Sequence, residues 1–292
     1  MSTMASTPDL TPALDTAELC RHHPTHLGLR RRTALDSVNL RVPAGATLGL
    51  VGPNGSGKST LLRLAAGVDR PSSGRIMALG GSPGQAAIRR RTGYLPEDNP
   101  FPGELTARAA LDLLGALDGL GRRRVRAEGA RLLEEVGLAR AAGLPLGRYS
   151  RGMGRRFGLA QAWLGEPELI LLDEATAGLD AEGFAVLKTL LDRSRERGAT
   201  VVLASHILSD IVEHCDRVAV LVDGRLLATG PTAEVMGSGE RRRLEVSGLS
   251  DDSLAGLRRW LGEHGCQLLA DDPAGRPLVE LFHGGRADVG AD

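Results

Sequence analysis

Residues 52–60 read GPNGSGKST and fit the pattern G-x-x-x-x-G-K-[ST]. The apolar run TLGLVG before them predicts a short buried strand, and the apolar spacing in KSTLLRLAAGV, residues 58–68, predicts a helix. Glycines let backbone N–H groups point into one concavity, and a helix N-terminus attracts anions. Lys58 adds a mobile positive charge, and the Ser59 hydroxyl can bind Mg²⁺. This stretch, the phosphate loop, therefore predicts a site for nucleotide phosphates between a strand and a helix.

An acidic pair follows a second apolar strand pattern, ELILLD, at residues 168–173. Successive side chains along a strand point in opposite directions, so Asp173 and Glu174 reach different places. Phosphoryl transfer needs charge neutralisation and a positioned nucleophile. We therefore expect Asp173 to hold Mg²⁺ and Glu174 to reach the attacking water. The alternative is that the two acids are simply solvated at the start of a loop. This alternative is less favoured because the chain also contains the phosphate loop.

His206 follows the apolar run ATVVLAS, residues 199–205. A single histidine is more often a hydrogen-bonded structural residue than a catalytic one. This one ends a strand that we expect to run parallel to the strand before the phosphate loop. Ligands bind at the carboxyl edge of open α/β sheets, so His206 is also a candidate site residue. Both interpretations stay open at this point.

The composition of the 292-residue chain supports a packed α/β protein. Apolar residues make up 42% of it and aromatic residues only 3%, which predicts a core of Leu, Val and Ala. A formal net charge of zero argues against bulk electrostatic attraction to nucleic acid or to an acidic membrane. No run approaches the roughly 18 apolar residues of a membrane span, and no signal-peptide core is present. Work at a membrane would then require another polypeptide to cross it.

Cysteine and lysine usage narrow the chemistry further. Cys20, Cys215 and Cys266 are scattered, which is typical of a chain without disulfides in a reducing cytosol. A histidine cluster at residues 22–26 adjoins Cys20, but Pro24 interrupts the spacing that a helical metal site would need, so a solvated segment is favoured. Only two of the 36 basic residues are lysines, Lys58 in the phosphate loop and one in an ordinary helix pattern. A chain that uses Arg almost everywhere but has Lys at position 58 suggests that this position needs a compact ammonium group rather than a planar guanidinium.

Strand and helix patterns alternate along most of the chain, which predicts a largely parallel α/β sheet. Residues 1–16, rich in Ser, Thr, Pro and Asp, read as a disordered tail. From about residue 104 to 146 the pattern is helical, with GRRRVR at 121–126 as an exposed basic turn. The run RVAVLVDGRLLATG, residues 217–230, predicts two strands around an Asp-Gly hairpin turn. Beyond residue 240 we expect a small β-α-β appendage with Trp260 in its core.

Five motifs occur in a highly specific order: GPNGSGKST at 52–60, GYLPE at 93–97, YSRGM at 149–153, LILLDEATAGLD at 169–180 and ASH at 204–206. On these motifs the chain resembles the ATP-binding subunit of an ABC transporter, from about residue 19 to 236. The wording GYLPE followed by YSRGM is most similar to exporter-type subunits encoded apart from their permease.

The resemblance implies a fold and a domain organisation. The fold is α/β, a P-loop NTPase of the ABC ATPase type with a mostly parallel core sheet and an N-terminal antiparallel β subdomain. An inserted α-helical subdomain and a small C-terminal βαβ appendage complete it. The implied boundaries are 17–240 for the ATPase domain, about 104–160 for the helical subdomain within it, and 241–292 for the accessory domain.

The resemblance also implies a role for each motif residue. The triphosphate and Mg²⁺ would be held by the phosphate loop, namely Gly52, Pro53, Asn54, Gly55, Ser56, Gly57, Lys58, Ser59 and Thr60. Glu97 stands where the family usually has Gln, near the metal, which Ser59 and Asp173 would also bind. Glu174 would act as the general base or orient the water, and Lys58 and His206 would contact the γ-phosphate region. Asp180 would communicate across a dimer.

The segment YSRGM, which we call the signature segment, has the parts of a second anion site. Ser150 is placed to cap the following helix, and Gly152 lets the backbone come close to a ligand. The chain already has its phosphate loop some ninety residues earlier. We therefore expect Ser150 and Gly152 to meet the γ-phosphate held by a second copy of the chain.

Three features depart from the family pattern. Tyr149, Arg151 and Met153 replace the Leu, first Gly and Gln of the common LSGGQ. Ala175 stands where the family usually has a Pro, which would stiffen the turn. The segment 22–36 has no Phe, Tyr or Trp near His26 and Leu27, where the family usually stacks an aromatic ring on adenine.

The implied cofactors are ATP and Mg²⁺, and the implied partners are an integral membrane permease and a second copy of the chain, at the cytoplasmic face of the membrane. We expect no nucleic acid partner. A soluble ABC-type ATPase acting on nucleic acid or ribosomes is the main alternative, supported only by arginine runs at 122–126 and 148–156 that fit solvated helix ends more simply. A small-molecule kinase would need an acceptor site and a lid, and the sequence shows neither.

Overall fold

The computed structural model describes residues 11–24, 31–98, 101–206, 208–236 and 251–263. The chain divides into two compact units, Met1–Gly239 and Glu240–Asp292. The strands and helices of the first unit are, in chain order, β1 Leu14–Pro24, β2 Arg31–Val38, β3 Arg41–Val42, β4 Thr47–Val51, α1 Lys58–Ala65, β5 Ser73–Ala78, α2 Ala86–Arg89, β6 Thr92–Leu95, α3 Ala107–Leu117, α4 Arg122–Glu135, α5 Arg151–Ala162, β7 Leu169–Asp173, α6 Ala181–Glu196, β8 Thr200–Ser205, α7 Leu208–His214, β9 Arg217–Val222, β10 Arg225–Pro231 and α8 Thr232–Val235.

The main sheet has six strands in the order β10-β9-β4-β8-β7-β6. Every neighbouring pair in it is parallel except β9 with β10, which form the hairpin expected around Asp223 and Gly224. The mostly parallel core sheet is therefore confirmed. The register pairs Val51 with Ser205 and Asp173 with Ala204. This register brings the residues that follow β4, β7 and β8 to one edge of the sheet.

The core lies on both faces of this sheet. Strands β4, β7 and β8 are buried along their whole length, as expected for parallel strands covered by helices on both sides. Alternate side chains of β7 and β8 enter different hydrophobic clusters, because a strand points successive residues to opposite faces. One cluster contains Ile170, Leu172, Val201 and Leu203, and the other Leu169, Leu171, Val202 and Ala204.

A second, antiparallel sheet is formed by β2, β1 and β3, with β5 also paired to β1. It is the predicted N-terminal β subdomain. The prediction of a disordered tail over residues 1–16 is wrong from Leu14 onward. Leu14 is fully buried and pairs with Val42 and Ala78, so its apolar side chain belongs to the core although the two residues that follow it, Asp15 and Thr16, are polar. Residues 1–10 of that tail lie outside the described residues.

Helices α3, α4 and α5 form the predicted helical subdomain and its connection to the sheet. The basic run 121–126 is not a turn, because α4 begins at Arg122 and Val125 is buried within it. Fully buried Phe157 and Trp163 pack where α5 and the residue after it meet the other helices. The indole N–H of Trp163 donates to the Ser194 hydroxyl at 2.9 Å, which satisfies the polar end of a buried ring.

In the second unit the described part is one helix, α9 Asp251–Glu263. The strands predicted on either side of it lie outside the described residues. Trp260 is 53% exposed, so the expectation that its ring is buried in a core is wrong. Leu254 and Leu257, spaced as neighbours on one helix face, are the less exposed apolar residues instead. Within the described residues, no helix is both long enough and apolar enough to span a bilayer.

Candidate nucleotide-binding site

The phosphate loop joins β4 to α1 and is shaped by its glycines. Gly57 caps α1 with φ 107°, and no side chain caps this helix. A Cβ at Gly57 would overlap the carbonyl oxygen of Ala34 in β2, so only glycine fits. The first-turn amides of a helix have no partner inside the helix. Without a capping side chain, those of Lys58, Ser59 and Thr60 are left for a ligand.

Lys58 carries the positive charge of this loop. Its side chain is only 5% exposed, and Nζ donates to the carbonyl oxygens of Gly52 at 2.7 Å and Pro53 at 3.2 Å. The same Nζ lies 3.9 Å from Oε1 of Glu174. The Ser56 hydroxyl is also buried and has no hydrogen-bond partner within the described part of the chain. A buried ammonium, an unpartnered hydroxyl and uncapped amides suit the oxygens of a phosphate group.

Ser59 and Asp173 meet beside this loop, as their predicted shared role requires. The Ser59 hydroxyl donates to Oδ1 of Asp173 at 3.1 Å, and Asp173 is only 2% exposed. Burial raises the pKa of Asp173 to about 6, and the charges of Glu97 and Glu174 add to that effect. The hydrogen bond from Ser59 and the charge of Lys58 act in the opposite direction.

The oxygens of Ser59 and Asp173 fit Mg²⁺. This ion prefers oxygen ligands and commonly binds through one or two protein groups together with nucleotide phosphates and water. Such an arrangement agrees with the finding that no cluster of three or more His, Cys, Asp or Glu side chains among the described residues could hold a metal alone. A bound Mg²⁺ would neutralise charge on the phosphate oxygens.

Glu174 lies between the phosphate loop and His206. Its Oε2 is 2.7 Å from Nδ1 of His206, while Oε1 faces Lys58. Glu174 is 8% exposed, whereas the His206 side chain is half exposed, so His206 forms the outer side of this pair. The backbone of Glu174 is strained, with φ 50°. Its amide donates to the Ala204 carbonyl at 3.0 Å, and its own carbonyl accepts from Ala177 at 3.0 Å.

Glu97 is placed near this group but differently from Ser59 and Asp173. It follows β6, is exposed, and acts on Asp173 through its charge, which raises the pKa of that carboxyl. Its backbone carbonyl accepts a hydrogen bond from Arg155. Glu97 therefore borders the site, and a role as metal ligand stays a prediction.

Arg155 is a site residue that the motifs did not indicate. It lies on α5, is 7% exposed, and donates to four backbone carbonyl oxygens around the site. Burial lowers the pKa of Arg155, and the charges of Asp173, Glu97 and Glu174 oppose that effect. The available signal in the sequence was an arginine pair within an otherwise apolar helix pattern, immediately before Phe157 and Leu159.

The signature segment begins α5 and contacts the loop before α6. The Ser150 hydroxyl accepts from the Met153 amide at 3.2 Å, which confirms it as the cap of the helix. A Cβ at Gly152 would lie 3.5 Å from Oδ2 of Asp180, and Asp180 itself caps α6 by accepting from Gly183 at 2.8 Å. Among the described residues, no hydrogen bond joins Ser150 or Gly152 to the phosphate loop.

Arg151, which replaces the first Gly of the common signature, contacts the loop before α6. It is exposed, but it also crosses Gly178, where φ is 80° and a Cβ would lie 2.8 Å from Nε of Arg151. Arg151 therefore packs on the loop that leads to Asp180. Residues 25–30, which include the place where the family stacks adenine, lie outside the described residues.

Comparison with known proteins identifies the family. The ABC transporter family model matches residues 35–177. An uncharacterized ABC transporter ATP-binding protein of Synechocystis is 37% identical over 82% of this chain and 69% of its own length. The chain belongs to the ATP-binding subunits of ABC transporters. This ABC subunit binds ATP and hydrolyses it, and subunits of its family dimerise and work with a membrane permease.

Other relatives of the ABC subunit differ in their named cargo. The daunorubicin resistance ATP-binding protein DrrA3 of Streptomyces coeruleorubidus is 37% identical over 74% of this chain and 69% of its own length. The methionine import ATP-binding protein MetN of Xanthomonas euvesicatoria is 38% identical over 70% of this chain and 64% of its own length. Sequence similarity therefore extends to proteins named for import as well as for drug resistance.

Solved structures agree with the fold. A structure described as the ATP-binding subunit of an ABC transporter has a TM-score of 0.71 and 27% identity, covering 84% of this chain and 99% of that one. A dimeric ATP-binding cassette, MJ0796, bound to ADP and Pi, has a TM-score of 0.69 and 24% identity, covering 75% of this chain and 98% of that one. The prediction of an ABC-type P-loop NTPase fold is confirmed.

Proposed function

We propose that two copies of this ABC subunit close on two ATP molecules with Mg²⁺ and drive export through a separate permease, at the cytoplasmic face of the membrane. The observation that carries the hydrolytic part is the convergence of Lys58, Glu174 and His206 at the carboxyl ends of β4, β7 and β8. Ligands of open α/β folds bind at this edge.

Each residue of this group has a proposed task. Lys58 binds the β- and γ-phosphate oxygens. To do so, Nζ gives up its hydrogen bonds to the carbonyl oxygens of Gly52 and Pro53 and donates to the phosphate instead. Ser59 and Asp173 hold Mg²⁺, which requires Asp173 to be ionised.

Glu174 accepts a proton from the attacking water or orients it. His206 holds the Glu174 carboxylate through Nδ1 and is half exposed, so its ring can also contact the γ-phosphate. The buried setting of Glu174 strengthens these interactions, because an environment with little water screens charge weakly.

The arrangement of the signature segment supports a dimer. Ser150 caps α5, and Gly152 packs on Asp180. Within the described residues, neither of them forms a hydrogen bond to the phosphate loop of the same chain. The remaining amides at the start of α5 suit the γ-phosphate of a nucleotide bound by a second copy. The likeness to a dimeric cassette bound to ADP and Pi is consistent with this proposal.

Export is favoured by the sequences of the motifs GYLPE and YSRGM, which resemble those of exporter-type subunits. The test is purification of the subunit from membranes, identification of the integral protein that accompanies it, and ATP-driven transport in vesicles of that pair. We expect cargo to move away from the side that holds the subunit. Movement toward that side would overturn export while leaving the ATPase role, and a subunit without any membrane partner would overturn the permease role.

A further inference from the structure

The guanidinium of Arg155 joins two segments that border the site. Nη1 donates to the carbonyl oxygens of Pro96 and Glu97, both at 2.9 Å. Nη2 donates to the carbonyl oxygens of Asp173 and Glu174, both at 2.5 Å. One planar group on α5 thus holds the backbone after β6 to the backbone after β7.

The environment of Arg155 is unfavourable for a cation, because burial removes the charge from water. The side chain is 7% exposed, and its Nε has no hydrogen-bond partner in the described residues. No ion pair of Arg155 with a carboxylate is found in the described part of the chain. Its direct partners are carbonyl oxygens, and the charges of Asp173, Glu97 and Glu174 act on it from a greater distance. Burying a charge without a paired counter-ion is unfavourable for stability. An apolar side chain could fill the same space, so the charge is better explained by what it positions.

What Arg155 positions is the strained peptide of Glu174. With φ 50°, this residue keeps its backbone conformation only if its surroundings enforce it. Three groups do so: the Ala204 carbonyl, the Ala177 amide and the Arg155 guanidinium. Without Arg155 the peptide can relax, and the carboxylate would move relative to Lys58 and His206.

We propose that Arg155 is a positioning residue for ATP hydrolysis, which fixes the peptide of Glu174 against the Glu97 segment (residues 96–98) and thereby keeps the Glu174 carboxylate beside the phosphate loop. This inference rests on the role proposed above for Glu174. Because α5 also begins with the signature segment, Arg155 links Glu174 to the helix that faces a second subunit. The hydrogen bonds of Arg155 to Asp173 and Glu174 go to their backbone carbonyls, so Arg155 acts on hydrolysis through these residues.

The test compares Arg155→Met with Arg156→Met. Arg156 is a matched control, because it is 8% exposed and adjacent on the same helix. Its Nη1 donates to the Val136 carbonyl at 3.1 Å and forms an ion pair with Oε2 of Glu182 at 3.1 Å, and both partners lie away from the site. Both variants remove a buried arginine, so a purely structural role predicts equal effects on kcat.

We expect Arg155→Met to lower kcat roughly tenfold to a hundredfold, because small displacements of a catalytic group have effects of that size. The KM for ATP should stay within about twofold, since Lys58 and the phosphate loop are untouched. The ATP-bound dimer should accumulate on gel filtration with ATP and Mg²⁺. Arg156→Met should keep kcat within about threefold of the unchanged protein. Equal losses of kcat in both variants, or a fall in ATP affinity as large as the fall in kcat, would overturn the proposal.

Arg155→Lys supplies the second measurement, and it decides the question should the Met variant fail to fold. Lysine keeps the charge but cannot span four carbonyls as a planar fork, so kcat should fall while the KM for ATP is retained. Full activity with Lys would overturn the positioning role. Glu174→Gln separates the proposed role of Glu174 from the proposed role of Arg155. If that variant hydrolyses ATP normally, the assigned role of Glu174 fails; if it is inactive while Arg155→Met and Arg155→Lys are fully active, only the role of Arg155 fails.

Discussion

Helices α1 and α5 both begin beside a candidate phosphate position, and their first turns differ. Gly57 caps α1 without a side chain, so every first-turn amide is left for a ligand, and Lys58 adds a buried charge. Ser150 caps α5 and occupies the Met153 amide, which leaves the two amides before it. No lysine accompanies this second helix start.

From this difference we infer that α1 forms a complete phosphate site and α5 a partial one. A helix N-terminus with three amides, a cation and a nearby carboxylate for metal can bind a triphosphate by itself. A helix N-terminus with two amides and a hydroxyl adds contacts to a phosphate that something else already holds. We infer that α1 determines nucleotide affinity and α5 determines whether two subunits close. The following changes test that division, beginning with the largest effect.

Lys58→Ala removes the cation of the complete site. We expect ATP binding to weaken about 1,000-fold, because losing one partner of a buried charge interaction costs roughly 3–5 kcal/mol. Binding of a fluorescent ATP analogue measures this. Lys188→Ala is the control, since Lys188 is the other lysine of the chain and lies exposed on α6. Strong binding by the Lys58 variant would show that the backbone amides suffice.

Glu174→Gln leaves the proposed phosphate contacts in place and removes the carboxylate proposed as the base. Hydrolysis should fall roughly a hundredfold or more, the typical contribution of a general base, while ATP binding is kept. An ATP-bound dimer should then persist on gel filtration. Asp192→Asn, an exposed carboxylate on α6, is the control and should turn over ATP normally. Unchanged hydrolysis in the Gln variant would mean that another group activates the water.

Asp173→Asn tests how much the buried charge of Asp173 lowers the free energy of unfolding when no nucleotide is bound. The pKa of Asp173 is raised to about 6, so its contribution to stability is fully present below its ordinary pKa and is lost as pH rises through about 6. Without nucleotide or Mg²⁺, the Asn variant should be more stable at pH 8 by about 3 kcal/mol.

Denaturant unfolding at pH 8 and at pH 3.5 measures this difference. Near pH 3.5 Asp173 is mostly protonated in both folded and unfolded chains, so the advantage of the Asn variant should disappear. An equal advantage at both pH values would assign the effect to packing rather than to charge.

Ser150→Ala acts on the partial site and should have a smaller effect than the changes above. ATP-driven dimerisation of a Glu174→Gln background should weaken roughly tenfold, because a lost cap and hydroxyl contact together cost about 1–2 kcal/mol. Analytical ultracentrifugation with ATP gives the dimer constant. Arg151→Gly should change it less, since Arg151 already packs on Gly178 of its own chain. A larger effect of the Arg151 change would mean that its charge reaches the second nucleotide.

Particular elements and contacts show which features could be predicted from the sequence and which could not. The loop with Lys58 and Ser59, the acid Asp173 and the hairpin at Asp223 were all readable, because each depends on local pattern or on a strand end. Leu14 was misassigned, since its burial comes from pairing with Val42 and Ala78, which are distant in sequence. Arg155 was missed for the same reason, as its four acceptors come from two other segments.

The sequence by itself determined the order of the motifs, the parallel strands and the family, because periodicity and glycine placement are local properties of the chain. The tertiary structure decided which groups meet at the carboxyl edge of the sheet. Only folding places Glu174 between Lys58 and His206, buries Arg155 against the carbonyls that follow β6 and β7, and lays Arg151 over Gly178. Such contacts depend on strand register and helix packing, which join residues that no short stretch of sequence contains.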